Sequence, residues 1–475
     1  MNTPVCDFIE KYVSLDMARF HMPGHKGVPS LGCEPWDITE VKGADALYEA
    51  DGILAESERN AASLFGTAAT FYSTEGSSHC IRAMLYLLSL VRKGPRLRIA
   101  AARNAHKAFV FGAALADADV TWIFGEEDRT GAPWTCRITA ERLDALLSED
   151  RPDAVFLTSP DYLGHLQDIR AISAVCRRHG VLLAVDNAHG AYLRFLPGSA
   201  HPLDLGADIC CDSAHKTLPV LTGGAYLHIG KQAPPRFAAQ AKQALALSGS
   251  TSPSYLTLAS LDRCNRYLAE DGPALIGACA ASVRCVRTRL RAMGYRVWPS
   301  DPLRITLRMP GYGHAAADAL RAFGIECEYA DRDFLVLMLS PANVPEDTEK
   351  LCRALRALKD SWPEADGDGQ DVPADGPDGA EAVPGRAEAG PEGRRTEDAG
   401  QGISDAPRPV MRIRDAVFSP SVRIPVREAT GRVAASPEAA CPPAVPIVMP
   451  GERLDEGLVR RLLAYGYEEI SVVEE

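Results

Sequence analysis

No run of eighteen or more apolar residues occurs anywhere in the 475-residue chain, so the sequence predicts no membrane-spanning helix. The opening "MNTPVCDFIEKYV" lacks a basic segment followed by an apolar one, so it does not read as a secretory signal. The 13 cysteines form no C-x-x-C pair and are odd in number. That usage argues against a disulfide framework or a structural zinc site and predicts reduced thiols in a cytoplasmic protein. Positive charge is also scarce where it would matter. The net charge is −12, and residues 363–402 hold 11 acidic against 3 basic residues, a net of −8. The rest of the chain is therefore close to balance, which gives no electrostatic footprint for nucleic acid. The same 363–402 stretch has no aromatic residue and consists mostly of Pro, Gly, Ala, Asp and Glu. Such a composition buries too little apolar surface to offset its ordering entropy, so it reads as an acidic linker.

What is present is an alternation of two periods. "LRIAA" (97–101), "DAVFLT" (153–158), "VLLAVD" (181–186), "ADICCD" (207–212) and "AYLHI" (225–229) are short apolar runs that suit buried strands. Between them lie helical patterns. In "SSHCIRAMLYLLSLVRKG" (77–94), Ile81, Met84, Leu85 and Leu88 make one apolar face and Gly94 stands as a C-terminal stop. Strands alternating with helices predict a mostly parallel α/β sheet, which binds ligands beyond the carboxyl ends of its strands.

Three groups fall at such ends. "TEGSS" (74–78) opens the helix at 77: Gly76 permits a tight turn, and Ser77 and Ser78 offer hydroxyls at a helix N-terminus, where anions bind. Taken singly, this is also what an ordinary helix cap looks like. Asp186 ends "VLLAVD", where it could cap a turn or pair with a buried cation or a protonated ring nitrogen, and His189 follows nearby. Lys216 sits in "DSAHKTLP" beside Ser213 and His215. A desolvated lysine has a lowered pKa and attacks carbonyls, whereas a snorkelling one serves only the surface. Together the three groups compose a pyridoxal 5'-phosphate site. The loop takes the phosphate, Asp186 the pyridinium nitrogen, and Lys216 the aldehyde as a Schiff base.

The chain resembles the bacterial ornithine/lysine/arginine decarboxylases of the aspartate-aminotransferase fold type (fold type I), in the shorter form without an N-terminal wing domain. The resemblance rests on "FHMPGHKG" (20–27), "DITEVKGADAL" (37–47), "RNAHKA" (103–108), "SPDYLG" (159–164), "DNAHGAY" (186–192), "DSAHKTLPVLT" (212–222) and "STSPSYLTLASLD" (250–262). Past the linker it rests on "EATGRVAA" (428–435) and "PPAVPIVMPGE" (442–452).

It implies a mostly parallel seven-stranded sheet with helices on both faces. It also implies an N-terminal arm (1–55), a cofactor-binding large domain (56–270), a small α/β domain (271–362), the linker (363–408) and a C-terminal domain (409–475). His106 is implied to stack on one face of the cofactor ring and Ala188 on the other. Ser213 and His215 join Gly76, Ser77 and Ser78 at the phosphate, and Thr251 reaches the phosphate of a neighbouring subunit. A homodimer is then the smallest active unit. Lys216, Asp186, His106 and His189 are the expected catalytic set, and no metal is expected.

The implied reaction is decarboxylation of a basic amino acid, arginine first and lysine or ornithine next, feeding polyamine synthesis. A transamination-type fate and a catalytically impaired cofactor-binding homologue stay open. A buried distal cation needs an anionic wall, for which Glu452 is the candidate. The chain departs from the family pattern at Glu75, Asp161, Asn187 and Gly223.

Overall fold

In the computed structural model, residues 1–125, 136–362, 409–437 and 446–474 are described. The linker and the "PPAV" of the second C-terminal motif fall outside them. The first compact unit holds residues 1–362, and the second is built from 409–437 and 447–474.

The first unit is organised on seven strands: β1 Ala69–Ser73, β2 Arg98–Ala102, β3 Asp119–Ile123, β4 Ala154–Thr158, β5 Leu182–Asp186, β6 Ile209–Asp212 and β7 Ala225–Ile229. Their spatial order is β1-β7-β6-β5-β4-β2-β3. β7 runs antiparallel to both of its neighbours and every other pair is parallel, so six of the seven strands share one direction. All five residues of β4 and of β7 are buried, as expected of central strands covered on both faces. Each large apolar side chain removed from water there contributes roughly 1.5–3 kcal/mol before entropy is subtracted.

The five apolar runs all become strands. The helix expected over 77–94 spans Gly76–Ser89, with Ile81, Met84, Leu85 and Leu88 buried as its apolar face predicts. It ends five residues before Gly94. Leu90 and Val91 close with tighter bonds to Leu87 and Leu88, and the Arg92 guanidinium caps the Ser89 carbonyl at 2.7 Å. Those contacts satisfy the terminal carbonyls that a longer helix would have needed.

A second sheet of four antiparallel strands lies between residues 297 and 338: β8 Val297–Trp298, β9 Arg304–Arg308, β10 Tyr329–Ala330 and β11 Phe334–Met338, in the order β10-β11-β9-β8. The helices Gly272–Ala292, Gly313–Ala322 and Pro345–Leu358 cover it, with Val286, Leu290, Leu320, Leu351 and Leu355 in their shared core. The second unit pairs β12 Ser421–Pro425 with β13 Glu469–Val473 over a core that includes Leu458, Leu462 and Val472. Every cysteine among the described residues is a free thiol. No helix among them is long and apolar enough to cross a membrane.

Candidate active site

The ends of the parallel strands collect the predicted groups. Asp186 closes β5, level with Thr158 of β4 and Cys211 of β6, and is 2% exposed. Its Oδ1 accepts the Ala188 N–H at 3.1 Å. β6 ends at Asp212. The chain then makes a single helical turn, Ala214–Thr217, before returning as β7, and this turn carries Lys216. The reversal of β7 thus places Lys216 on a short loop beside Asp186, where a continued parallel crossover would have carried it away.

Lys216 Nζ lies 2.9 Å from His189 Nε2. The lysine is exposed rather than buried, yet enough protein surrounds it that desolvation lowers its pKa; the charges of Asp186 and Glu328 oppose that shift. His189 is 6% exposed, and its burial, aided by the Lys216 charge, drives its pKa well below the usual imidazole range. A neutral His189 can therefore accept a hydrogen bond from the Lys216 ammonium through Nε2. His106 caps the helix Lys107–Leu115: its Nδ1 accepts the Ala108 N–H at 3.1 Å, which leaves the ring proton on Nε2. Desolvation lowers its pKa too, against the pull of Asp186.

Ser77 and Ser213 meet across the sheet end, with Ser213 Oγ donating to Ser77 Oγ at 2.9 Å. Gly76, at φ +73°, starts the helix, and its N–H donates to the Gly223 carbonyl at 2.7 Å. Ser78 is the third residue of the same helix. His215 is tied through Nδ1 to the Gly224 carbonyl at 3.1 Å. Thr251 is exposed, in the loop before the helix Tyr255–Ala269.

The structure accounts for each departure. The Glu75 carboxylate accepts the Ser250 N–H. Gly223 has φ +95°, and a Cβ there would stand 2.4 Å from the Thr74 carbonyl oxygen, so only glycine fits. Asn187, fully buried, donates through Nδ2 to Asp212 Oδ1 at 2.6 Å. The other Asp212 oxygen receives His201 Nε2 at 3.1 Å and His228 Nε2 at 3.2 Å. Burial alone would raise the Asp212 pKa, but the two imidazoles carry it well below the carboxylate range. His201, Cys210 and Asp212 also bring three metal-donor atoms together, although His201 Nε2 is already engaged on the carboxylate.

Asp161 is buried, with Oδ1 accepting the His165 N–H at 2.8 Å, and burial lifts its pKa to about 7. Glu452 lies wholly buried in the second unit, its Oε2 accepting the Met449 N–H at 2.8 Å.

Three groups escaped sequence reasoning. Tyr162 packs edge-on against His189 at 5.1 Å and donates to Glu328 Oε1 at 2.7 Å. Arg304, 1% exposed, donates to the carbonyls of Asp161 and Tyr162 at 2.6 Å each and lies 3.2 Å from Asp301 Oδ2. Tyr162 lies in the quoted "SPDYLG" stretch but was given no role there, and Arg304 and Glu328 come from segments with no motif of their own.

The donor set fits pyridoxal phosphate. A hydroxyl pair stands at a helix N-terminus, a buried carboxylate at a strand end, and an amine at the loop between. Among the described residues, the buried Thr158 Oγ1, level with Asp186, and the side-chain amide of Asn104 have no hydrogen-bond partner. Polar groups in such positions are ones a bound polar group satisfies.

A single reversed strand in a mostly parallel seven-stranded sheet, with a lysine on the loop that the reversal creates, defines the pyridoxal-phosphate-dependent enzymes of fold type I. Within that class, the family model described as Orn/Lys/Arg decarboxylase, major domain, matches residues 3–306, and that of the C-terminal domain matches residues 401–467. The chain belongs to the Orn/Lys/Arg decarboxylase family: it is a pyridoxal-phosphate-dependent decarboxylase of basic amino acids.

Among its relatives, the arginine decarboxylase of Bacillus subtilis (strain 168) is 28% identical over 96% of this chain and 91% of that protein. The arginine decarboxylase of Halalkalibacterium halodurans is 26% identical over the same shares. Among solved structures, the constitutive lysine decarboxylase of E. coli superposes with a TM-score of 0.76 at 18% identity, covering 100% of this chain and 82% of that one. That likeness is one of fold.

Proposed function

We propose that the chain converts arginine to agmatine and CO₂, with Lys216, Asp186, His106 and His189 as its catalytic residues. The observation that carries the site assignment is the Lys216–His189 contact at 2.9 Å beside the buried carboxylate of Asp186. Arginine is placed first because two relatives named arginine decarboxylase align over nearly their whole length.

Bound pyridoxal phosphate supplies an electron sink for the pair left behind when CO₂ departs. The protein residues do the rest. Ser77, Ser78, Ser213 and His215 hold the phosphate at the N-terminus of the helix begun by Gly76. Asp186 keeps the ring nitrogen protonated, and Ala188 and the neutral His106 bracket the ring. Lys216, its pKa lowered by desolvation, would hold the cofactor aldehyde, with its nitrogen kept in place by His189 Nε2 at 2.9 Å.

The working unit in this reading is a homodimer in the cytoplasm, with Thr251 reaching the neighbouring subunit's phosphate, and the product feeds polyamine synthesis. Phe20 and Leu31, 96% and 89% exposed in the N-terminal arm, are apolar surface that a second copy would cover. The test incubates purified holoenzyme with arginine, lysine and ornithine and identifies the amine by mass. Agmatine supports the proposal, and cadaverine or putrescine alone overturns the choice of arginine. A keto acid in place of an amine overturns decarboxylation itself.

A further inference from the structure

We infer that Glu75 is a positioning residue for the neighbouring subunit's cofactor: its carboxylate fixes the loop that presents Thr251. The inference rests on the reading above, in which Thr251 reaches that subunit's phosphate.

A carboxylate at the mouth of a phosphate loop is unfavourable by itself. Glu75 directly precedes Gly76, the first residue of the helix Gly76–Ser89, so its charge stands beside the N-terminus that would take an anion. Like charges at such range oppose each other. Against that repulsion stands one contact. Glu75 Oε1 accepts the Ser250 N–H at 2.5 Å, from a residue 175 positions away. The Glu75 backbone is held in turn, its N–H donating to Ser73 Oγ at 3.1 Å. A hydrogen bond to an ionised acceptor is stronger than one between neutral groups.

The partner loop runs over residues 247–254, between the helices Pro235–Ala246 and Tyr255–Ala269. Its root is anchored to the helix that begins at Gly76. His79 is buried in that helix; its Nε2 donates to the Leu245 carbonyl at 2.7 Å and its Nδ1 takes the Ser73 hydroxyl at 2.8 Å. Gly249 sits against Tyr48, where a Cβ would stand 1.9 Å from the tyrosine hydroxyl oxygen. Beyond Gly249 the packing stops, and Ser250, Thr251 and Ser252 are exposed. Among the described residues, the Glu75 carboxylate is the one hydrogen-bond partner that these three have outside the loop. The Ser252 N–H turns back onto Ser250 Oγ at 3.1 Å, so the two serines bracket Thr251. Fixing Ser250 therefore fixes the direction in which Thr251 points.

The test titrates the full-length apoenzyme with pyridoxal phosphate, followed by absorption, in wild type, Glu75→Gln, Glu75→Ala, Thr251→Ala and the Glu75→Ala/Thr251→Ala double variant. Glutamine keeps an oxygen for the Ser250 N–H and removes the charge; alanine removes both. Thr251→Ala should weaken binding by about tenfold and Glu75→Ala by about three- to tenfold, the scale of a lost hydrogen bond. Glu75→Gln should bind the cofactor as tightly as wild type or more tightly. Adding Glu75→Ala to Thr251→Ala should weaken binding no further, because the loop then has no hydroxyl to aim. Repulsion alone predicts the opposite sign, with Glu75→Ala binding more tightly than wild type.

Cofactor affinity in Glu75→Ala at or above that of wild type overturns the assignment. So do equal losses in Glu75→Ala and Glu75→Gln, and so do losses that add in the double variant. Wild-type affinity in Thr251→Ala overturns instead the reading that Thr251 reaches a phosphate, so the two failures are distinct.

Discussion

Asp161 offers a quantitative test of the electrostatics around the site. Its carboxyl is buried beneath the Tyr162 segment, and burial raises its pKa from 3.8 to about 7. An acid whose pKa is raised on folding binds its proton more tightly in the folded state. Its contribution to stability is fully present below pH 3.8 and is lost as pH rises to about 7. At 1.36 kcal/mol per unit, the full penalty is about 4 kcal/mol. About a third of it is present at pH 5, and the remaining 2–3 kcal/mol, roughly, opens between pH 5 and pH 8.

Asp161→Asn keeps an oxygen for the His165 N–H and removes the titration. Thermal unfolding of wild type and variant at the two pH values isolates the effect, because every other titrating group is common to both. The variant should gain on wild type by several degrees more at pH 8 than at pH 5. A stability difference that is the same at both pH values, or that favours wild type at pH 8, would falsify the claim that Asp161 titrates as a desolvated acid.

Three further outcomes test the site. Borohydride reduction of the holoenzyme should bleach its yellow colour and leave the label on the peptide containing Lys216, while Lys216→Ala should bind the cofactor without a reducible link. A label on another lysine removes Lys216 from its role. Asp186→Ala should lower kcat by about 100- to 1000-fold, the scale of a lost preorganised charge; near-normal turnover rules out its part in holding the ring nitrogen. Ser77→Ala and Ser213→Ala should each weaken cofactor binding by about tenfold, measured by equilibrium titration of the apoenzyme. Retained affinity in both variants would move the phosphate elsewhere.

Apolar runs were readable because β4, β5, β6 and β7 are buried along almost their whole length, which forces the composition. β3 was not, because it is an edge strand: Asp119–Ile123 alternates exposed and partly covered residues and looks like ordinary polar chain. The direction of β7 was equally hidden. "AYLHI" reads the same either way, and its reversal follows from the short connection after Asp212 rather than from its residues. At the site, motif residues announced themselves through residue type and position. Tyr162 and Glu328 did not, because they are 166 residues apart and acquire their relation only when the small sheet packs beside the Ser159–Pro160 turn. The sequence left open whether Lys216 is desolvated or reaches the surface, and both hold: its side chain is exposed, yet desolvation lowers its pKa.

The departures from the family pattern bear on whether the site is functional or decaying. Glu75, Asn187 and Gly223 each have a matching accommodation distant in sequence. Glu75 would repel an anion, yet its carboxylate is drawn to the Ser250 N–H. Gly223 is required by the carbonyl of Thr74, which sits where any side chain would go. Asn187 donates to Asp212, a buried carboxylate already shared by His201 and His228. A second carboxylate at that point would face Asp212 in a dry interior, where like charges cannot both ionise. Asparagine is therefore the residue that this local network demands. Loss of selection erodes a site without regard to partners, leaving unpaired charges and filled cradles. Here Glu75 and Asn187 each have a partner, the glycine that must be bare is bare, Lys216 touches His189, and Ser213 donates to Ser77.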